Sequence, residues 1–226
     1  MDKCFLYDAC NHKHCDTVCP RHLKTSHLLS TSGLPRSMWV KTTLVLDADG
    51  TDLEEFKQLK NIENHIVSFV TNGANLFIHS SNSGNGKSSW AIRLMQAYVD
   101  KTWNSYDFQE CAVLFVSVQR LLDSLKLNIR GFDSYAPDIL AKVGKADLVV
   151  WDDLAAKEGS SYDIDKLFSL IEGRLSENKA NIFTSNLDAE AMRQALGPRI
   201  ASRVCNGSIN IELHGADKRY RAIKKF

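Results

Sequence analysis

The chain has 226 residues, 44% of them hydrophobic and 24% charged, enough to bury one sizeable core and too apolar for wholesale disorder. Its formal net charge of +1 excludes recognition of a polyanion by bulk charge alone. No run is long and apolar enough to cross a membrane, and the stretch from Met1 to Tyr7 has no signal-peptide core, so a cytoplasmic protein is expected.

Cysteines crowd the start. Cys4, Cys10, Cys15 and Cys19 fall in the first twenty residues, with His12, His14, His22 and His27 in the same region. In a reducing compartment such clustering points to metal rather than disulfides. The four thiolates are candidate ligands for tetrahedral Zn²⁺, and His12, His14 or His22 could replace one of them. So short a segment has little core of its own, and metal would supply its folding energy. The spacing C-x5-C-x4-C-x3-C departs from paired C-x2-C, and free thiols in a frayed terminus are the alternative. Thr25 to Ser37, rich in Ser, Thr, Gly and Pro, reads as a linker, and Trp39 to Leu46 as an extended segment. The expected division is a Cys/His-rich segment plus linker over 1–50 and one main domain over 51–226.

Thr51-Asp-Leu-Glu54 fits a capping box, and Phe56, Leu59, Ile62, Ile66, Phe69 and Val70 predict one helix ended by Asn72-Gly73. An apolar strand, Asn75 to His79, then leads into Ser80-Ser-Asn-Ser-Gly-Asn-Gly-Lys-Ser-Ser89 and a helical pattern from Trp90. Strand, glycine-rich loop, Lys-Ser and helix make a phosphate-binding P-loop. Asn82, Ser83, Gly84, Asn85, Gly86, Lys87, Ser88 and Ser89 are the candidate nucleotide-binding residues. Lys87 would reach the β- and γ-phosphates of ATP and the Ser88 hydroxyl would hold Mg²⁺. The usual motif opens with glycine, and Ser81 stands there instead.

Cys111 to Val118 is a second apolar strand running into a helix, and Cys111 and Cys205 read as plain core or surface residues. Ala146 to Asp153 is an apolar run ending in two acids, the Walker B pattern. Asp152 would serve the Mg²⁺ and Asp153 would polarise the attacking water. A helix follows with Ile164, Leu167, Phe168, Ile171 and Leu175 on one face, then a short strand ending at Asn186 and a helix stopping at Gly197-Pro198. Ile209 to Leu213 reads as a last strand. Alternating strands and helices predict an α/β fold with a parallel sheet and the ligand at the strands' carboxyl ends. Arg193, Arg199, Arg203, Lys218, Arg219, Arg221, Lys224 and Lys225 make the end of the chain basic, opposed by Glu212 and Asp217.

The order Gly-Asn-Gly-Lys-Ser, Val-Val-Trp-Asp-Asp, Phe-Thr-Ser-Asn, Leu196-Gly-Pro-Arg-Ile-Ala-Ser-Arg203 and Lys218-Arg-Tyr-Arg221 resembles the DnaC/DnaI replicative helicase loaders, which are AAA+ ATPases, and their transposition relative IstB. The resemblance covers about residues 51 to 226. It implies Asn186 as sensor 1, Arg199 as an arginine finger acting in trans on a neighbouring subunit, and Arg221 as sensor 2. Apart from that motif, Arg199 and Arg203 would be an exposed basic helix face. DnaI-type loaders carry a zinc-binding N-terminal domain that contacts the helicase; here that region is shorter, a compactness that suggests a phage or mobile-element version. Family members bind single-stranded DNA, for which Lys126, Arg130, Phe132 and Tyr135 are candidates, and Asn61 to His65 are candidates for the adenine pocket.

The expected function is therefore an ATP-dependent loader that binds a DnaB-type hexameric helicase and places it on single-stranded DNA. The alternatives are an IstB-like ATPase that assembles on duplex DNA to recruit a transposase, and a non-enzymatic adaptor.

Overall fold

The computed structural model describes residues 10, 18–40, 42, 44, 46, 50–107, 111–128, 134–154 and 160–218. Five short strands build one sheet: β1 (Asn75–His79), β2 (Val113–Ser117), β3 (Leu148–Asp152), β4 (Ala180–Ser185) and β5 (Ile209–Glu212). Their order is β2-β3-β4-β1-β5, with every neighbouring pair parallel. Parallel strands need crossovers, which place helices on both faces and bury every residue of a central strand. That is why Leu148 to Trp151 of β3 and Ala180 to Ser185 of β4 are buried without alternation.

The two faces hold separate cores. Leu76, Ile78, Phe115, Val150 and Ile182 pack beneath α2 (Leu53–Asn64), α3 (Ile66–Thr71) and α4 (Lys87–Thr102). Phe77, Leu114, Val149, Trp151 and Phe183 pack beneath α5 (Val118–Asn128), α6 (Tyr135–Val143), α7 (Ser161–Ser176) and α8 (Ala189–Ala201). Helix α4 buries Trp90, Leu94, Met95 and Val99, each worth about 1.5–3 kcal/mol of apolar burial. The register sets His79 beside Ser185 and Glu212, and Ser117 beside Asp152, so the carboxyl ends line one edge.

Two elements differ from expectation. In place of a linker stands α1 (Pro20–Thr31), which buries Thr25, Leu28 and Leu29. Its hydroxyls do not break the helix because they bond back to the preceding turn, Thr25 Oγ1 to Arg21 O at 2.7 Å and Ser30 Oγ to His27 O at 2.7 Å. Pro20 sits where its missing N–H costs nothing. Leu28, Leu29 and Leu34 join the same core as Leu59 and Leu94, and the Ser32 carbonyl accepts from Phe115 N on the outer edge of β2 at 2.6 Å. The expected single helix from Phe56 to Val70 is broken at His65 (φ −108°, ψ 22°) into α2 and α3. The extended segment after Trp39 docks as expected where it is described: Gln96 of α4 donates to Met38 O and Val40 O and accepts from Thr42 N.

Arg174, on α7, is buried. It donates to the carbonyls of Val143, Ala146 and Ala180 and to Asn181 Oδ1, tying α7 to the start of β3 and β4. No helix among the described residues is long and apolar enough to cross a membrane.

Candidate functional site

The loop between β1 and α4 is shaped by two glycines with positive φ, Gly84 (72°) and Gly86 (112°). Ser81 needs no such freedom: the non-glycine residues with positive φ among those described are Asp52, Asp153 and Asn178. The loop is braced from within, since Ser80 Oγ accepts from Asn82 N at 3.0 Å and from Asn85 Nδ2 at 2.6 Å. Gly86 precedes α4 without a side-chain cap, leaving the first N–H groups of that helix for an anion. Lys87 is 5% exposed and its ammonium donates to Asn82 O at 2.7 Å and Asn85 Oδ1 at 3.3 Å, both on the loop it would share with a phosphate.

Opposite lies the end of β3. The Asp152 carboxylate accepts a hydrogen bond from Thr184 at 2.7 Å and has the Ser88 hydroxyl beside it. The two groups expected to hold Mg²⁺ therefore meet, and a hydroxyl with a carboxylate is the hard oxygen set that this ion takes. Burial pushes the Asp152 carboxyl above its usual range; the Ser88 and Thr184 hydrogen bonds and the Lys87 charge pull it down without cancelling, and Asp153 adds to the rise. A cleft of about 240 Å³ runs between the two sides, lined by Gly84 to Ser89, Asp153 and Asn186. The structure thus brings together the glycines, Lys87, Ser88, Asp153 and Asn186, with Asp152 beside Ser88 behind them.

A strap missed by sequence reading crosses the loop. Leu213 N donates to His79 O at 2.9 Å, Asn85 Nδ2 to Leu213 O at 3.1 Å, Asn82 Nδ2 to His214 O at 3.2 Å, and Lys218 N to Gly84 O at 2.9 Å. The Asp217 carboxylate sits against Gly84 where any side chain would be. Asp52 anchors the strap, accepting from His214 N at 2.7 Å and Gly215 N at 2.9 Å. Asp52 was expected inside a capping box, but it adopts φ 64° and makes no cap hydrogen bond, because its carboxylate faces residues far along the chain.

Other candidates lie apart. Asn61 to His65 do not flank the loop: Lys101, at the far end of α4, bonds Glu63 O and Asn64 O, some fourteen residues or roughly 21 Å along the helix from Lys87. Arg199 lies over Phe168 of α7 with its guanidinium carbon 4.2 Å from the ring centroid, and Arg203 grips Glu172 at 2.7 and 3.1 Å. As expected, the chain breaks at Gly197 (φ 83°) before Pro198, although α8 resumes beyond it to Ala201. Lys126 pairs with Asp163 at 3.0 Å, and Arg120 covers the Tyr135 ring. Arg130, Phe132, Arg221, Cys4 and Cys15 lie outside the described residues. Cys10 and Cys19 are reduced thiols, and no group of three or more metal-binding side chains occurs among the described residues.

A sequence model of the family described as IstB-like ATP binding protein matches residues 20–206. The chain belongs to this family. The match spans α1 and the strands β1 to β4. Among curated proteins it is similar to the replicative helicase loader DnaC of Buchnera aphidicola subsp. Schizaphis graminum, 24% identical over 190 residues, covering 82% of this chain and 72% of the relative. The same-named protein of Escherichia coli K12 is 22% identical over 154 residues, 68% of this chain and 59% of the relative. Among solved structures, the DnaC helicase loader superposes with TM-score 0.63 at 17% identity, over 80% of this chain and 100% of that one. DnaI gives 0.60 at 21% identity over 80% and 95%, and AMPPCP-bound DnaA from Aquifex aeolicus 0.55 at 17% over 80% and 52%. The IstB-like chain thus shares the AAA+ fold, a five-stranded parallel sheet flanked by helices.

Proposed function

We propose that this protein is an ATP-dependent loader that binds a DnaB-type replicative helicase and places it on single-stranded DNA. The observation that carries the reading is the cleft in which Lys87 and Ser88 face Asp153 and Asn186, within a chain whose curated relatives are named replicative helicase loader DnaC. Gly84 to Ser89 hold the phosphates of ATP through backbone N–H groups, and Lys87 adds its charge. Ser88 and Asp152 hold Mg²⁺, which when bound neutralises phosphate charge. Asp153 polarises the attacking water, as a general base or by orientation, and Asn186 holds that water or the γ-phosphate, while Arg199 of a second copy and Arg221 place positive charge where negative charge develops during phosphoryl transfer.

The candidate zinc ligands are the cysteines ahead of α1, Cys4, Cys10, Cys15 and Cys19. A loader changes the helicase's state because it binds one state better than another, and nucleotide sets which. A second reading rests on the family match itself: an IstB-like ATPase that assembles on duplex DNA and recruits a transposase.

The deciding experiment is capture of the host's replicative helicase with ATP, ADP or no nucleotide, beside Lys87→Ala. The loader reading expects capture that depends on nucleotide and is altered by Lys87→Ala. No capture under any condition, with preference for duplex over single-stranded DNA, would replace it with the transposition reading.

A further inference from the structure

Thr184, on β4, is fully buried, and its hydroxyl touches both acids at the end of β3. It donates to Asp152 Oδ1 at 2.7 Å and accepts from the Asp153 N–H at 3.0 Å. A hydroxyl has one hydrogen to give, and an amide N–H can only donate. The Asp153 contact therefore leaves the Thr184 hydrogen for the Asp152 carboxylate. Both capacities of one oxygen are used, and they are used on the two residues assigned to metal and water.

The surroundings make this a clamp. The chain leaves β3 through a left-handed residue, Asp153 at φ 56°, which turns its N–H out of the strand ladder. Thr184 receives that N–H. One residue on, Leu154 N donates to Thr184 O at 2.8 Å, and Ser185 Oγ donates to Leu154 O at 2.6 Å. Residues 184 and 185 thus hold the whole turn 152–154 from the neighbouring strand. A buried strand position of this shape would otherwise suit valine, which has the same branching and can make neither side-chain bond.

We propose that Thr184 is a positioning residue for metal-assisted nucleotide hydrolysis: its hydroxyl aims the Asp152 carboxylate at Ser88 and holds Asp153 in the turn that brings it to the cleft. This rests on the nucleotide-hydrolysis reading given above. Thr184 touches neither nucleotide nor metal; it acts through the two acids. The charged groups facing Asp152 are Asp153 from its own strand end and Lys87 from α4.

The test compares Thr184→Val and Thr184→Ser in the full chain by ATP turnover across Mg²⁺ concentration, with binding of a fluorescent ATP analogue without Mg²⁺ as control. In Thr184→Val the Mg²⁺ concentration for half-maximal turnover should rise roughly ten- to hundredfold, the range seen when groups behind a metal ligand are removed. Analogue binding without Mg²⁺ should be unchanged, and Thr184→Ser should restore the Mg²⁺ requirement. If Thr184→Val does not fold, Thr184→Ala reads the same quantities without the volume of a misplaced methyl. An unchanged Mg²⁺ requirement in an active variant, or failure of Thr184→Ser to restore it, would overturn the proposal. A wild-type protein with no Mg²⁺-dependent turnover would instead overturn the hydrolysis reading beneath it, and the proposal with it.

Discussion

Arg199 rests on the face of Phe168, 4.2 Å from the ring centroid, one helical turn from the Arg203–Glu172 pair. Arg199 near the end of α8 and Arg203 in the π-helical turn that follows it, Ser202–Asn206, thus meet two residues four apart on α7. Release of the exposed guanidinium from the ring costs about 0.5–1 kcal/mol, small enough for it to reach a neighbouring subunit. Arg199→Ala should lower ATP turnover roughly a thousandfold with nucleotide binding intact. Mixing it with Lys87→Ala should restore part of the activity, because the second variant supplies Arg199 to the first one's intact loop. Turnover in the mixture that only matches the sum of the separate variants would rule out action in trans.

Asp52 ties the C-terminal strap to the start of α2 through two backbone N–H groups. Asp52→Ala should cost about 1–2 kcal/mol of stability, hydrogen bonds to a charged group discounted for partial exposure. Because the same strap holds Asn82, Asn85 and Gly84, nucleotide affinity should fall along with the melting temperature. A lower melting temperature at unaltered affinity would show the strap to be independent of the loop.

Glu63 joins α2 to α4, accepting from Lys60 Nζ at 2.7 Å and Arg93 Nε at 2.7 Å. Burial alone would raise its carboxyl, but these two donors outweigh it and hold it below the usual range. A carboxyl depressed on folding contributes stability above its unfolded value, and loses it as pH falls through the folded one. Glu63→Gln should therefore be less stable than wild type by about 1–3 kcal/mol at pH 7, with the gap closing on acidification below the ordinary glutamate range. Urea unfolding of both proteins at neutral and acid pH measures it; a gap constant with pH would contradict the assignment.

Arg174 stays charged at neutral pH even though burial lowers its guanidinium to about 10. Arg174→Leu removes the donor shared by the carbonyls of Val143, Ala146 and Ala180, and should destabilise by about 3–5 kcal/mol. Arg174→Lys should recover little, since an ammonium cannot reproduce the planar fork. Chemical denaturation reads both, and near-wild-type stability of the lysine variant would show that charge alone matters.

The phosphate loop and the two acids were legible because their chemistry is written in consecutive residues: Gly84 to Ser88 between a strand and a helix, and Asp152-Asp153 closing an apolar run. The roles of Thr184 and Asp52 were not, since each depends on a partner that only the sheet order or the chain's return brings near. Helix α1 was hidden by its serines and threonines, whose hydroxyls bond their own helix instead of ending it. Helix α6 drew no expectation from its pattern, and the break at His65 interrupted an apolar spacing that ran on past it. Arg174 drew no expectation from the sequence; only the convergence of carbonyls from the starts of two strands shows why it is buried.

The bond from Phe115 N to Ser32 O bears on how copies of this chain come together. β2 is the rim of the sheet, and at that point its outward donor is already taken by the chain itself. A second copy cannot lengthen the sheet there without first peeling away the turn after α1. Any assembly on this side would therefore be built from side-chain surfaces rather than from a continuous backbone ladder.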